Sequence, residues 1–323
     1  MIDIKYLFIL NIIITSIMRY YYVKYNKKVK GNAYFILFIY IFVITFYLTK
    51  KINLSLFTSF VVLLGRTMYR YSKDKPVHKL NKENSLLFCL GVSIPFLVNY
   101  YKDTIDDNYI NYFNFLVIIY IVISLQEYIL HKYVMHCDRD SQLVKNIRNI
   151  PILGSEFWKT CDHHVKHHLD VNPDMSIDNP STEVGLYMGW KVFLYVFPLT
   201  VLNMYFSRYI TNCNISDQNI IIFSIILCFV WQYVWNKVHV DMHNLENKYS
   251  IMKGPYDEGL FNLNPLTKLL FRNHQYHHLQ KGEKKGNYNI IAIGVDEWLN
   301  SNNKIIDNRD YCKKNNDDII CQA

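Results

Sequence analysis

Paired-cysteine spacing is missing from this chain. Its seven cysteines stand apart, and Cys89 and Cys228 fall inside apolar runs. That excludes a disulfide framework and points to reduced thiols, with Cys137 and Cys161 as bystanders beside histidine-rich segments. No Gly-x-Gly-x-x-Gly loop is present, which leaves no nucleotide-binding turn of that kind. Glu-x-x-His, the signature of soluble di-iron bundles, does not occur, and neither does the zinc-protease pattern His-Glu-x-x-His. The C-terminus carries no lipidation signal.

What the chain has instead is hydrocarbon in blocks. Hydrophobic residues make up 51% and aromatics 16%, gathered into candidate membrane spans at 5–19, 34–49, 54–65, 85–101, 111–130, 184–206 and 219–238. The third is short and needs its flanks or a re-entrant path. The first lacks an Ala-x-Ala cleavage site and runs directly into Arg19 and three tyrosines, so it reads as a retained span rather than a signal peptide. The pattern predicts an all-α, polytopic membrane protein. Residues 1–84 form N-terminal spans with basic loops, 85–298 a second domain with the remaining spans, and 299–323 a polar tail.

The net charge of +8 is uneven. Arg19, Lys24, Lys27, Lys28 and Lys30 follow the first span, and Arg66, Arg70, Lys73, Lys75, Lys79 and Lys82 follow the third. The alternate loops carry Lys50 and Lys51, then Lys102 beside Asp103, Asp106 and Asp107. The positive-inside rule makes the basic loops cytosolic. Their charge suits anionic lipid headgroups, and nothing points to nucleic acid. The outer hairpin loop holds Asn214-Ile215-Ser216, an N-glycosylation pattern.

Ten of the twelve histidines fall into four boxes: His131 and His136; His164, His167 and His168; His239 and His243; His274, His277 and His278. The topology delivers all four to the cytosolic side as one cap. His-x-x-His-His on a helix places three imidazoles on one stripe, aimed at one point, and the i, i+4 pair His239 and His243 does likewise. Ten neutral nitrogen donors exceed the needs of one first-row ion and suit two. His131 and His136 are five apart, about 140° around a straight helix. They converge only if the helix ends or distorts between them, with His131 on its last turn.

Glu127 lies one turn before His131 within an apolar run. A carboxylate there is either an acceptor for an imidazole N–H, and so part of the catalytic machinery, or an interfacial side chain reaching for water. Asp162 and Asp241 are weaker candidates of the same kind. A metal pair ligated by neutral imidazoles is strongly cationic and favours anionic oxygen species, and the bilayer offers an apolar approach. A membrane lipid is the natural substrate.

The text EYILHKYVMH (127–136), HVKHH (164–168), HVDMH (239–243), HQYHH (274–278) and GNYNI (286–290) resembles the fatty acid hydroxylase superfamily of integral-membrane, histidine-box di-metal oxygenases, which includes sterol desaturases. The resemblance covers about residues 110–298. It implies that all ten histidines are metal ligands and that His163 and His78 are not. It also implies two iron ions, with zinc as an alternative occupant, O₂, and hydroxylation of a fatty acyl, sphingolipid or sterol C–H bond in the endoplasmic reticulum or an equivalent internal membrane. Some relatives carry a fused cytochrome b5 domain with a His-Pro-Gly-Gly motif, whereas this chain has no His-Pro. Electrons are therefore expected from a separate cytochrome b5 or reductase. The gap between His136 and His164 resembles fatty acid hydroxylases, whereas that between His243 and His274 is longer than expected for them. A desaturase with the same centre is the alternative, and a metal-transport protein a more distant one.

Overall fold

The computed structural model describes residues 32–72, 93–137, 140–151, 153–172, 175, 177, 191–243, 265–279, 286–299 and 301–302. The expected span 5–19, the start of span 85–101, most of the 66–84 loop, His78 and nearly all of the C-terminal tail lie outside them. The described chain is mostly helical, with no strand beyond one isolated bridge between Val171 and Ile177. In order, the helices are α1 (Asn32–Thr49), α2 (Ile52–Ser72), α3 (93–101), α4 (Asp107–Ile129), α5 (Gln142–Arg148), α6 (Leu153–Asp170), α7 (Lys191–Thr211), α8 (Asp217–Val234), α9 (Pro265–His278) and α10 (Val295–Trp298).

Two of them run on through π-helical turns. α4 continues through Leu130–Met135, and α8 through Trp235–His239 into Val240–Met242. With those extensions, Asp107–Met135 and Asp217–Met242 are long and apolar enough to cross a membrane. Phe35–Thr49 and Ile52–Met68 are apolar but shorter. α2 extends the short third block at both ends. α4 and α8 each open with an aspartate against the positive end of the helix dipole. The Ser216 side chain caps α8 by accepting from the Asn219 N–H at 3.2 Å.

The chain divides into two compact units, the first comprising residues 1–119, 206–214 and 297–300. In it Ile41 and Val62 pack with Leu37, Tyr40 and Ile94, and Leu54, Val98 and Ile110 with Phe57 and Ile105. The polarity of α1 and α2 is inverted relative to a water-soluble helix. Thr45, Ser55, Thr58 and Ser59 are buried, while Phe35, Val43, Tyr47, Ile52 and Met68 stand exposed. Each buried hydroxyl donates to the carbonyl four residues back, at 2.7–2.8 Å, so it is satisfied within its own helix. Asn114 Nδ2 donates to the Asn53 carbonyl at 2.8 Å, and Lys51 meets Asp107 at 3.2 Å.

The second unit comprises residues 120–205, 215–296 and 301–323 and carries all four histidine boxes. α7 and α8 repeat the inverted pattern here. Thr200, Met204, Ser224 and Cys228 are buried, and Leu202, Phe223, Ile226, Phe229 and Tyr233 are exposed. Ser224 donates to the Met204 sulfur at 3.3 Å, and the Cys228 thiol to Thr200 at 3.5 Å. Such small polar contacts are what joins helices when the surroundings are as apolar as the side chains. Gly154 opens α6 where the chain crosses the end of α5. A Cβ there would collide with the Arg148 carbonyl, so the glycine permits the crossing.

Candidate metal centre

The histidines converge into two adjoining groups. His131, His136, His164, His168 and His277 form one, and His167, His239, His243 and His274 the other, with potential ligand atoms within 4.8 Å of one another in each. In the first, Nε2 atoms face each other at 3.0 Å (His131 and His164), 2.9 Å (His136 and His277), 3.1 Å (His164 and His136), 3.2 Å (His168 and His164) and 3.0 Å (His277 and His168). In the second, His243 and His274 face at 3.0 Å. His278 lies across the two groups. Its Nε2 is 3.2 Å from that of His274, and its ring stacks on His168 at 4.1 Å between centroids.

The π turn at the end of α4 supplies the distortion that the His131 and His136 spacing demands. The His136 N–H donates to the His131 carbonyl at 3.0 Å, an i to i+5 bond, and the two rings stack at 5.1 Å. The second π turn leads directly into His239 and His243. α6 and α9 carry the two triplets as regular helices, but the expectation that each triplet aims at one point is corrected. His164 and His168 join the first group and His167 the second; His277 joins the first and His274 the second. The reason is angular. Residues i and i+4 lie about 40° apart on a helix, whereas i+3 lies about 60° to the other side of i. The stripe is a wedge, wide enough to serve two neighbouring points.

Three backbone carbonyls fix ring orientation. His131 Nδ1 donates to Tyr288 O at 2.6 Å, His277 Nδ1 to Gly286 O at 2.7 Å, and His243 Nδ1 to Met175 O at 3.1 Å. A carbonyl can only accept, so each of these rings keeps its proton on Nδ1 and turns an Nε2 lone pair inward. Met175 holds φ at 77° and Asn287 at 57°, the left-handed region that non-glycine residues rarely adopt. Both stand in the backbone that orients the histidines. The Tyr288 ring closes one side, 5.5–5.9 Å from His131, His136 and His277. Trp235 lies 4.8 Å from His239.

Burial drives the imidazoles of His164, His167, His168, His243, His274 and His278 well below the usual histidine pKa, and charge on neighbouring imidazoles adds to the effect. These rings are neutral donors. The inward Nε2 atoms of His131, His277 and His243 each have another imidazole Nε2 at 2.9–3.0 Å, close enough for several nitrogens to share one ion. Both nitrogens of the buried His167, and Nδ1 of His164 and His274, have no hydrogen-bond partner. Orphaned buried nitrogens in an all-imidazole cluster fit a metal ion, and these buried groups could hold one.

Glu127 is buried, and its carboxylate is taken up by backbone rather than by an imidazole. It accepts three successive backbone N–H groups, from Ile290 at 2.6 Å, Ile291 at 2.8 Å and Ala292 at 2.7 Å. This corrects both expectations for it, the imidazole acceptor and the carboxylate reaching for water. Backbone carbonyls take the acceptor role, and sequence reasoning missed Met175, Gly286 and Tyr288. GNYNI stood out as text, but nothing in a sequence marks a carbonyl. Asp241 is buried beside Lys237, 3.8 Å away, and Asp162 is half-buried. His163 is exposed and belongs to neither group.

The cysteine reading is also corrected in part. Cys137, next to His136, and Cys161, three residues before His164, form a disulfide with Cα atoms 5.8 Å apart. They pack with Val144 against Phe157, Trp158 and Val165, joining the end of the π turn to α6. Cys213 and Cys228 are free and buried. No protein-family model, curated protein or solved structure matches this chain.

Proposed function

We propose that this protein is a membrane-bound di-iron lipid oxygenase that hydroxylates a fatty acyl, sphingolipid or sterol C–H bond. The reaction balances as substrate C–H plus O₂, two electrons and two protons giving C–OH and water. A separate cytochrome b5 or reductase supplies the electrons. One observation carries the reading: two adjoining groups of imidazoles with, among the described residues, no carboxylate among their nitrogens, several of them held neutral by burial. His131, His136, His164, His168 and His277 would hold one iron, and His167, His239, His243 and His274 the other, with His278 adjoining both. Bound iron supplies the activation of O₂ and the removal of hydrogen from an unactivated carbon. The chain's part is to keep the imidazoles neutral, to aim them through the Tyr288, Gly286 and Met175 carbonyls, and to exclude water with the Tyr288 and Trp235 rings.

The inverted polarity of α1, α2, α7 and α8, with hydroxyls inward and large apolar side chains outward, supports a polytopic membrane protein. The basic loops argue for a cytosolic site on an internal membrane such as the endoplasmic reticulum. A glycosylation tag in 102–109 should be modified and one in 66–84 should not, and the opposite result would overturn this orientation. The activity is tested by lipid mass spectrometry of cells expressing the chain beside a His277→Ala control. A product heavier by one oxygen supports hydroxylation, and one lighter by two hydrogens identifies the desaturase alternative. No difference from the control, with both proteins membrane-inserted, would remove the oxygenase reading.

A further inference from the structure

Tyr120, Ser124, Glu127 and His131 form one stripe along α4, at spacings of four, three and four residues. The first three all grip the segment 288–296. Tyr120 Oη donates to the Ile293 carbonyl at 2.6 Å, and Ser124 Oγ to the Ala292 carbonyl at 2.5 Å. The Ser124 carbonyl accepts from Asn289 Nδ2 at 2.7 Å. Between them the Glu127 carboxylate sits in the concavity formed by the N–H groups of Ile290, Ile291 and Ala292, the arrangement by which backbone binds an anion. α9 holds the same segment from its other side. Asn273, which directly precedes His274, donates to the Asn289 carbonyl at 2.6 Å and accepts from Asn287 Nδ2 at 2.9 Å. The Asp296 carboxylate accepts the Asn289 N–H at 2.5 Å. This segment and the residues just before it present the Tyr288 and Gly286 carbonyls to His131 and His277.

We infer that Glu127 is a positioning residue. By clamping residues 290–292 it holds the preceding backbone where two carbonyls fix the tautomer and aim of His131 and His277, and so tunes metal binding at the five-histidine group. This rests on the reading of the histidines as metal ligands. Orienting partners of this kind change metal affinity by about 10–100-fold when lost. Both anchored histidines belong to one group, so the effect is selective. In the second group His243 is oriented by Met175 instead, outside this segment.

The test is cobalt(II) titration of the full chain in detergent, followed by its visible absorption bands, for wild type and Glu127→Gln. Glutamine keeps the shape but loses the charge and turns an N–H toward at least one of the three donors. The expected result is two ions per wild-type chain, and in Glu127→Gln a loss of about 10–100-fold in affinity for one of the two, with a changed spectrum for that ion alone. Loss of fold would lower both together. Two ions bound by Glu127→Gln with wild-type affinity and spectrum would overturn the inference and leave the metal reading intact. A wild-type chain that takes up no cobalt would overturn the metal reading and this inference with it. Should Glu127→Gln not accumulate, Ser124→Ala removes a neighbouring grip on the segment. A smaller loss at the same single ion supports the inference there, and no change opposes it.

Discussion

His136 sits one π turn beyond His131, its N–H bonded to the His131 carbonyl at 3.0 Å and its ring stacked on that of His131. The two therefore act on the same point, and each group should empty by itself. We expect metal content to fall from two ions per chain to one in His131→Ala or His136→Ala, to one in His243→Ala, and to none when His131→Ala and His243→Ala are combined. Elemental analysis of detergent-purified protein reads this directly. An unchanged two ions in His131→Ala would refute the assignment.

His163 adjoins His164 in sequence but is exposed, whereas His164 is buried among four other imidazoles. His163→Ala should leave metal content unchanged and shift stability by no more than about 0.5 kcal/mol. His164→Ala should deplete the five-histidine group and abolish lipid oxidation. Equal damage from the two at equal expression would mean that the register of this box is wrong.

Acid should release the metal. Six of the ten imidazoles are held well below the usual histidine pKa, chiefly by burial. Their unfolded value is about 6.5. Protons are thus taken up by the unfolded chain first, and the stability present above pH about 6.5 is lost as pH falls toward the depressed folded values. Metal competes for the same nitrogens, which sharpens the loss. Thermal melts from pH 8 to 5 should show a falling midpoint below about 6.5, lower still for metal-free protein. A flat profile would contradict neutral, buried ligands.

The bond between Cys137 and Cys161 closes a sequence separation of 24 residues around the first two boxes. Loops of that size contribute about 3 kcal/mol through restriction of the unfolded chain. Cys137→Ser, or dithiothreitol on the wild type, should lower the unfolding free energy by a comparable amount, and the melting midpoint with it. Alkylation should label two more cysteines after reduction than before. Because disulfides are rare in the cytosol, the fraction bonded in cells also reports on which side of the membrane the site lies.

The helices and the convergence of the histidines were largely legible because both are periodic. Apolar blocks mark α1, α2, α4, α7 and α8, and the i, i+3, i+4 spacing marks α6 and α9 as carriers of histidine. The need for a distortion between His131 and His136 followed from 100° per residue. The partition of each triplet between two groups was not legible, since it depends on where α6 and α9 stand relative to α4 and α8. Nor was the partner of Glu127, whose three donors come from residues more than 160 positions away. The pairing of Cys137 with Cys161 is likewise long-range. Composition ruled out a cysteine framework and could not see one isolated bond.

The carbonyls of Met175, Gly286 and Tyr288 have a consequence for how such a site tolerates sequence change. A peptide oxygen is the same whichever side chain is attached, so a scan of single substitutions leaves these three contacts largely unmarked. Drift in residue identity at Gly286 or Tyr288 can keep the carbonyl while altering the ring that shields the histidines. Chain length is different. Removing one residue between Gly286 and Ile290 would shift both carbonyls away from the imidazoles that face them, so the backbone here constrains insertions and deletions more tightly than it constrains letters.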